Sequence, residues 1–292
     1  MRNVTLAATQ MACTWDTEAN VERAVGLVHE AASRGANVIL IQELFETPYF
    51  PPDEKRELFA LAKPFEGHPT IKRMAALAEE LKVVLPVSFF ERAGNAHFNS
   101  VAIVDADGRV LGVYRKSHIP DGPGYEEKFY FNPGNTGFKV WKTRYGNLGV
   151  AICWDQWFPE CARVMALQDA EMILYPTAIG DEPQDRTLDS KEHWQMTMRG
   201  HAAANMMPVV ASNRIGSEKS DSTTLNFYGS SFIAGPSGKL LTEAPRDKQT
   251  VLTASFDLDK LRANRASAGF FRDRRTDLYR CLLTLDGSTP PV

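Results

Sequence analysis

Cys153 is the side chain of this sequence that is best placed for nucleophilic chemistry. It follows the apolar run Leu148–Ile152, which has the pattern of a buried strand, and it precedes a helix expected to begin near Pro159. A thiol at a strand end and near the positive N-terminal end of a helix can face a cleft, so we expect these surroundings to favour the thiolate. Free cysteine is also among the most buried residue types, so the local pattern alone leaves a structural role open. That structural interpretation is kept for the other cysteines, which are Cys13, Cys161 and Cys281.

Two further strand ends supply a base and a cation. The run 37–41 is continuously apolar rather than alternating, which indicates a strand buried on both faces, and it delivers Glu43 at its carboxyl end. A second strand is predicted to end with Lys116 and His118 on one face. Each of these charges alone is typical of a solvated surface residue. The prediction of a catalytic site therefore rests on the combination of Glu43 and Lys116 with Cys153.

Other catalytic signatures are missing from the sequence. It has no phosphate-binding glycine loop and no Gly-x-Ser-x-Gly nucleophile motif. No two of its six histidines have the i, i+4 spacing that places two metal ligands on one helical face. The four cysteines have the spacing of neither a zinc site nor a disulfide framework. We therefore expect reduced thiols, no metal and no cofactor.

A repeated order of strands and helices must position the candidate residues. Strand, helix and strand follow one another in the first 41 residues, and this order returns in both halves of the chain. The helix before the predicted strand Val209–Ser212 is expected to begin at Asp189, because Asp189 and Glu192 have the spacing of a capping box. This alternation is typical of an α/β protein.

Two hairpin patterns align with each other without a gap. One spans residues 100–111 and turns at Asp107–Gly108, and the other spans residues 230–241 and turns at Ser237–Gly238. Two related halves predict two sheets packed face to face with helices on their outer surfaces, in a single domain over residues 1–292. Only the tail, about residues 265–292, is expected to leave the body of the fold.

Composition and charge exclude several classes of partner. Lys and Arg number 33 against 36 Asp and Glu, which gives a net charge of −3 and no basic footprint for nucleic acid or anionic lipid. The longest aliphatic run, Val38–Ile41, is far shorter than the about 20 apolar residues that cross a bilayer. The N-terminus lacks the pattern of a signal peptide. We expect a cytoplasmic protein that binds neither nucleic acid nor membranes.

The three candidate residues lie in three longer motifs. These are Val38–Phe45 around Glu43, Tyr114–Pro120 around Lys116 and Gly149–Asp155 around Cys153. Through them, and over nearly its whole length, the sequence resembles the nitrilase superfamily of carbon–nitrogen hydrolases, whose active site is a Glu-Lys-Cys triad. The resemblance implies the four-layer αββα sandwich of that superfamily.

The resemblance also implies a role for each residue. Cys153 attacks a carbonyl carbon, and Glu43 takes the thiol proton and passes it to the leaving nitrogen. Lys116 and the backbone N–H of Trp154 hold the oxyanion. Glu127 resembles the fourth active-site residue of the superfamily and would position Lys116 or the leaving amine, although Glu126 stands beside it.

Three segments indicate the class of substrate within the superfamily. They resemble the members that hydrolyse the ureido group of a small molecule with a terminal amine. The segments are Ile152–Glu160, Asp121–Tyr125 and Glu182–Asp185 together with Leu188–Ser190. An alkyl chain that ends in an ammonium group requires aromatic walls and a carboxylate at the far end. Glu182 is the first choice for that carboxylate, with Asp181 and Asp185 as alternatives. The candidate wall residues are Tyr49, His118, Phe131, Trp154 and Trp157.

Two alternatives stay open. N-carbamoyl amino acids, including β-ureidopropionate, are the nearest alternative substrates, and they would require arginine or histidine where we place acids. A catalytically idle scaffold subunit of the same fold is the alternative from another class. Arg214 is interpreted as an ion-pair partner at a strand end rather than as a carboxylate receptor.

The quaternary state is also part of the resemblance. It implies a homo-oligomer, and aromatic and arginine side chains are favoured at interfaces between subunits. The tail is the candidate interface, because it carries Phe270, Phe271, Arg272, Arg274 and Arg275.

Overall fold

The computed structural model of the protein describes residues 1–288, so the predicted tail residues 289–292 lie outside the described residues. The α-helices in this range are α1 (Thr17–Ser33), α2 (Pro69–Leu81), α3 (Pro159–Leu167), α4 (Lys191–Asn205) and α5 (Leu258–Ala268). The strands are β1 (Asn3–Gln10), β2 (Val38–Leu40), β3 (Leu85–Ala93), β4 (Ala96–Val104), β5 (Val110–Arg115), β6 (Val140–Thr143), β7 (Gly146–Val150), β8 (Met172–Pro176), β9 (Val209–Ser212), β10 (Ile215–Lys219), β11 (Thr224–Tyr228), β12 (Phe232–Ala234), β13 (Leu240–Glu243) and β14 (Thr250–Asp257).

Two sheets form the centre of the fold. The first joins the strands β14-β1-β2 to the strands β3-β4-β5 through a parallel bridge between Val38 and Val84. The second has the order β13-β12-β9-β8-β7-β6. Each sheet has parallel pairing at its centre and antiparallel pairing towards its edges. The two halves of the chain therefore build two related sheets, as the repeated pattern predicts.

Alternation along the central strands explains the layers. Leu6 and Leu40 point into the core between the two sheets, where the hydroxyl of Ser212 donates to the backbone oxygen of Leu40 at 2.9 Å. Their neighbours Ala7 and Ile39 pack with the apolar faces of α1 and α2 instead. Because successive side chains of a strand point to opposite faces, a continuously apolar run is the pattern required of a strand covered on both sides.

Helices α3 and α4 cover the outer face of the second sheet. Met165 of α3 and Trp194 and Met198 of α4 are fully buried against its strands. With α1 and α2 on the first sheet, the order of layers is helix, sheet, sheet, helix. The predicted four-layer αββα sandwich is therefore confirmed.

The hairpin repeat extends to details of backbone geometry. Gly108 and Gly238 occupy equivalent turn positions with φ of 78° and 77°, a left-handed conformation that glycine adopts at little cost. The register shifts next to both turns, between Ile103 and Val104 in one hairpin and between Ile233 and Ala234 in the other. Both predicted hairpins are confirmed.

The predicted capping box at the start of α4 is wrong. The helix begins at Lys191, and the carboxylate of Asp189 accepts the Lys191 backbone N–H at 3.2 Å. The same carboxylate forms an ion pair with Arg246 at 2.5 Å. Asp189 is therefore held outside the helix by an arginine from a distant segment, which local spacing does not reveal.

The body of the fold continues past the predicted start of the tail. Helix α5 ends at Ala268, and the ring of Phe271 then packs between the guanidinium groups of Arg163 and Arg265, at 5.0 and 5.8 Å from its centroid. Arg272 and Arg275 form ion pairs with Asp273 and Asp277 in the same segment. The large apolar side chains that are exposed in this segment are Phe270, Leu278, Leu282, Leu283 and Leu285.

Candidate active site

The three candidate catalytic residues follow three different strands. Glu43 comes three residues after β2, Lys116 directly follows β5, and Cys153 opens a 3-10 turn (Cys153–Trp157) after β7. Lys116 therefore lies beyond the strand on which the sequence pattern placed it. Leu44 and Cys153 have φ of 47° and 41°, values that are costly for residues with a side chain. The fold thus maintains strained backbone at two of these sites.

Lys116 joins two glutamates in a buried cluster. Its Nζ atom lies 2.9 Å from Glu43 Oε1 and 2.9 and 2.7 Å from the two carboxylate oxygens of Glu127. All three residues are fully buried. Burial alone would lower the pKa of Lys116, but the charges of Glu127 and Glu43 outweigh it and raise that pKa. Burial also raises the pKa of Glu127. The charge of Lys116 lowers that pKa, and the charge of Glu43 raises it further.

One oxygen of Glu43 is left open. Oε1 accepts from Lys116 and also from the side-chain amide of Asn99 at 2.6 Å. Within residues 1–288, Oε2 is buried and has no hydrogen-bond partner. Leaving a buried carboxylate oxygen without a hydrogen-bond partner costs free energy. This oxygen is therefore the candidate acceptor for a proton.

Arg214 and Ser88 fix the backbone that carries Glu43. The guanidinium group of Arg214 donates to the backbone oxygens of Glu43 and Leu44 at 2.8 and 3.1 Å. The hydroxyl of Ser88 accepts from the Leu44 backbone N–H at 2.9 Å. Arg214 also pairs with Glu218 at 2.9 Å, in agreement with its interpretation as a structural ion-pair partner.

Cys153 lies at the buried end of the site. Its Sγ atom is 3.7 Å from the backbone oxygen of Ala178, and only 6% of the residue is exposed. Burial raises the pKa of the Cys153 thiol, and the charges of Glu43 and Glu127 raise it further against the opposing effect of Lys116. These surroundings therefore contradict the expectation that they favour the thiolate. Because the thiol is protonated, attack requires a base, and Glu43 carries the open oxygen.

Asp155 connects the cysteine turn to the lysine loop. Its carboxylate accepts from the backbone N–H groups of Ile152 and His118 at 3.0 and 2.9 Å and from the Tyr114 hydroxyl at 2.7 Å. The His118 ring nitrogen Nδ1 lies 2.7 Å from the same carboxylate. Sequence reasoning missed this role, and the only signal was an acidic residue two positions after the nucleophile.

Glu127 and not Glu126 belongs to the charge cluster. The Tyr49 hydroxyl donates to Glu127 Oε1 at 2.7 Å, which adds a partner to the two contacts with Lys116. Glu126 instead accepts the backbone N–H of Gly124 at 3.0 Å. This geometry supports the preference for Glu127.

The two glutamates make a matched test. We expect Glu127→Gln to lower kcat by about a hundredfold, because Lys116 loses a bidentate carboxylate partner and no longer sits where the oxyanion forms. Glu126→Gln should keep most of the activity. Initial rates with a ureido substrate, the class that the sequence resemblance implies, measure the difference between the two purified variants. Equal rates would show that Glu127 is not part of the site.

A cavity of about 310 Å³ opens above Cys153. Its wall includes the predicted residues Trp154, Trp157 and Glu182 together with Glu127 and Cys153. No Lys, Arg or His is among the described residues that line it. The remaining lining residues are Pro120, Asp121, Gly122, Pro123, Tyr125, Gln156, Ala178, Ile179 and Gln184.

Three predicted wall residues lie elsewhere. Phe131 packs into a separate apolar cluster, with its ring centroid 5.0 Å from that of Phe90. His118 stacks on Phe158 at 3.7 Å while it contacts Asp155. Tyr49 is buried behind Glu127. The prediction that these three side chains line the cavity is therefore wrong, because each ring packs against other aromatic rings or contacts a carboxylate instead.

The acidic candidates for the ammonium contact are also separated. Asp181 forms an ion pair with Arg186 and accepts from the Asn226 amide at 2.6 Å, and Asp185 accepts from the Thr187 hydroxyl at 2.6 Å. Of these three acids, Glu182 lines the cavity. Asp121, which was not proposed as a contact, lines it as well.

The described residues offer neither a cluster of metal ligands nor a helix suited to a membrane. Residues 1–288 hold no group of three or more His, Cys, Asp or Glu side chains arranged to bind a metal ion. None of the described helices has both the length and the apolar character that a membrane span requires.

The geometry fits what comparison with known proteins finds. The carbon–nitrogen hydrolase pattern matches residues 5–266, and the chain belongs to the carbon–nitrogen hydrolase family. It is 62% identical to an N-carbamoylputrescine amidase of Solanum tuberosum, over 99% of this chain and 98% of that protein. It is 50% identical to a citrullinase of Francisella tularensis, over 96% of this chain and 98% of that protein.

A solved structure gives the same picture of the fold. The crystal structure of a carbon–nitrogen hydrolase from Helicobacter pylori G27 superposes with a TM-score of 0.90 at 38% sequence identity. The match covers 97% of this chain and 99% of that one. The likeness therefore extends over essentially the whole described fold.

Proposed function

We propose that the protein hydrolyses the ureido group of N-carbamoylputrescine to putrescine, ammonia and carbon dioxide. The observation that carries the proposal is a cavity with a nucleophile at its buried end and uncompensated acids nearer to solvent. Cys153 is buried, Glu182 is partly exposed and Asp121 is exposed. A substrate with a carbonyl group at one end and an ammonium group at the other matches this order. The identity to plant N-carbamoylputrescine amidases supports the same substrate.

The first half-reaction forms a bond to sulfur. Cys153 Sγ attacks the ureido carbon, and its proton moves to Glu43 Oε2, which has no other partner among the described residues. The carbonyl oxygen becomes an oxyanion. The backbone N–H of Trp154, in the first turn of the 3-10 helix and unable to be satisfied within it, donates to that oxyanion.

Lys116 couples the proton transfer to the oxyanion. In the structure it donates to both glutamates. When Glu43 takes the thiol proton its carboxyl group becomes neutral, and its attraction for the ammonium group weakens. One N–H of Lys116 then turns towards the developing negative charge. Glu127 keeps the ammonium group in place during this change.

The first half-reaction ends when Glu43 gives its proton to the leaving nitrogen and the carbon–nitrogen bond breaks. In the second half-reaction, water attacks the thioester-like intermediate and Glu43 takes a proton from that water. The carbon–sulfur bond then breaks, and Glu43 returns the proton to Cys153 Sγ, which restores the thiol. The carbamic acid that is released decomposes to carbon dioxide and an amine. One water is consumed, and the products are ammonia, putrescine and carbon dioxide.

The competing substrates differ at the end remote from the carbonyl group. N-carbamoyl-β-alanine carries a carboxylate there in place of the ammonium group, and citrulline carries a carboxylate on the carbon that bears its ammonium group. Placing either carboxylate beside Glu182 and Asp121, with no Lys, Arg or His among the described lining residues, would be unfavourable. We therefore expect ammonia release from N-carbamoylputrescine to exceed that from either acid by at least about a hundredfold in kcat/KM. The Cys153→Ala protein is the blank. If the enzyme turned over citrulline faster than N-carbamoylputrescine, the proposed substrate would be rejected in favour of citrulline.

Glu182 is the proposed receptor for the substrate ammonium group. We expect Glu182→Gln to raise KM for N-carbamoylputrescine about tenfold with little change in kcat, because a charge-assisted hydrogen bond far from the reacting carbon is lost. KM for the neutral substrate N-butylurea should stay unchanged. Asp185→Asn, which alters a nearby acid outside the cavity wall, is the control. An unchanged KM for the cationic substrate in Glu182→Gln would reject this assignment.

We also propose that the protein forms a homo-oligomer and that it is located in the cytoplasm. Both statements stay predictions from the sequence, and so does the assignment of residues 1–292 to a single domain. The exposed apolar side chains at Phe270, Leu278, Leu282, Leu283 and Leu285 support the C-terminal segment as the interface. Light scattering of the purified protein tests the assembly, and the mass of one chain would reject it.

A further inference from the structure

Gln156 has an unsatisfied side chain beside the nucleophile. The residue is fully buried and is one of the residues that line the cavity. Its amide nitrogen Nε2 has no partner among the described residues, whereas its oxygen Oε1 lies 3.1 Å from the Thr177 hydroxyl. A buried amide nitrogen without a partner is rare. The mechanism above gives Gln156 no role.

The position of Gln156 on its turn brings it to the reacting group. Cys153 and Gln156 are three residues apart in the same 3-10 turn. Both residues line the same cavity. Gln156 therefore presents its side chain to the space that the Cys153 thiol faces.

The Thr177 hydroxyl decides which amide atom is free. It has one proton and lies 3.1 Å from two possible acceptors, Gln156 Oε1 and the Tyr175 backbone oxygen. If the proton goes to Tyr175, turning the Gln156 amide over lets Nε2 donate to the Thr177 oxygen. One N–H of Nε2 then has an acceptor, and the oxygen Oε1 takes the open position.

We propose that Gln156 Oε1 accepts the N–H that distinguishes a ureido group from a simple amide. The inference rests on the proposed function and makes Gln156 a specificity-determining residue of the same site. A ureido group carries a nitrogen on both sides of its carbonyl carbon, whereas an amide has a methylene on one side. With the carbonyl oxygen held by Lys116 and Trp154, both flanking groups lie next to Cys153, within reach of its neighbour Gln156.

The energetic consequence is selectivity against the amide. A methylene placed against Oε1 leaves a buried acceptor without a partner, whereas the ureido N–H satisfies it. A site built to hydrogen-bond a substrate N–H discriminates strongly against the analogue that lacks it. The ammonium end of the two compounds is the same, so Glu182 does not contribute to this discrimination.

The test compares N-carbamoylputrescine with 6-aminohexanamide, in which a methylene replaces the internal ureido nitrogen. We expect Gln156→Met to lower the ratio of kcat/KM for the two substrates at least about tenfold relative to the wild type. Comparing this ratio between the variant and the wild type cancels the intrinsic difference in reactivity between ureas and amides. Gln168→Met, an exposed glutamine at the end of α3, is the control and should keep the wild-type ratio.

A second variant tests the amide orientation. Thr177→Val removes the hydroxyl that fixes the Gln156 amide and should lower the same ratio by a smaller factor; this variant also carries the test if Gln156→Met does not fold. An unchanged ratio in a folded Gln156→Met protein, or in Thr177→Val if only that variant folds, would overturn the proposal. Failure of the proposed function has another signature, which is a wild-type enzyme that does not turn over N-carbamoylputrescine.

Discussion

The Cys153→Ala enzyme is expected to lose at least about 10⁴-fold in kcat for ammonia release from N-carbamoylputrescine. In the proposed mechanism the sulfur forms the covalent bond on which both half-reactions depend, and a methyl group cannot form it. The fold should be retained, because the substitution removes one buried atom. Measured melting temperatures and substrate binding by calorimetry should therefore remain close to those of the wild type.

Cys161 provides the matched control for this substitution. It is also fully buried, eight residues later in α3, but it packs in the core of the second sheet and its helix. Cys161→Ala should keep nearly the wild-type kcat. A substantial rate in a correctly folded Cys153→Ala protein would show that Cys153 is not the nucleophile.

Glu43→Gln is expected to lower kcat by about 10³-fold. Glutamine keeps the shape and can still bond Lys116 and Asn99, but it cannot take a proton from the thiol. Because the surroundings raise the pKa of Cys153, the thiol stays protonated near neutral pH. The loss is therefore one of proton transfer rather than of binding, and KM should change little.

The pH dependence of this variant gives a second readout. Without Glu43 as the base, the enzyme depends on thiolate formed by direct ionisation. Burial still raises the pKa of Cys153 in this variant, so the thiolate fraction increases as the pH rises towards that pKa. The residual rate of Glu43→Gln should therefore increase with pH across the neutral and alkaline range. A rate close to that of the wild type, with the same pH profile, would assign the base to another group.

The sequence predicts well where the candidate residues Glu43 and Cys153 lie, because each follows a strand whose apolar pattern is local. Glu43 follows a run that is apolar on both faces, and Cys153 follows a similar run in the other half of the chain. Sheets that pack face to face bring these strand ends together. Pattern and fold therefore agree where the positioning element is a central strand.

The residues that the sequence does not reveal are those whose partners come from distant segments. Asp155 receives donors from Tyr114 and His118, and Tyr49 reaches Glu127, over long stretches of chain. Such contacts exist only after the sheets have packed. The local pattern likewise assigned Phe131 to the cavity wall, although tertiary packing places it in a separate aromatic cluster.

The ionisation of Cys153 is a further property that emerges only on folding. Proximity to a helix N-terminus suggests a thiolate, but burial and two carboxylates outweigh the favourable charge of Lys116. The balance depends on how many charges converge and how dry the site is. Neither quantity can be read from the spacing of residues in the sequence.

The measurement that most directly tests the central claim is mass spectrometry of the enzyme quenched during turnover of N-carbamoylputrescine. We predict an adduct on the peptide that contains Cys153, with the mass of a carbamoyl or an aminobutylcarbamoyl group, and its loss in Cys153→Ala. The mass also identifies which nitrogen leaves first. An adduct on another residue of an enzyme that turns over normally would contradict the account.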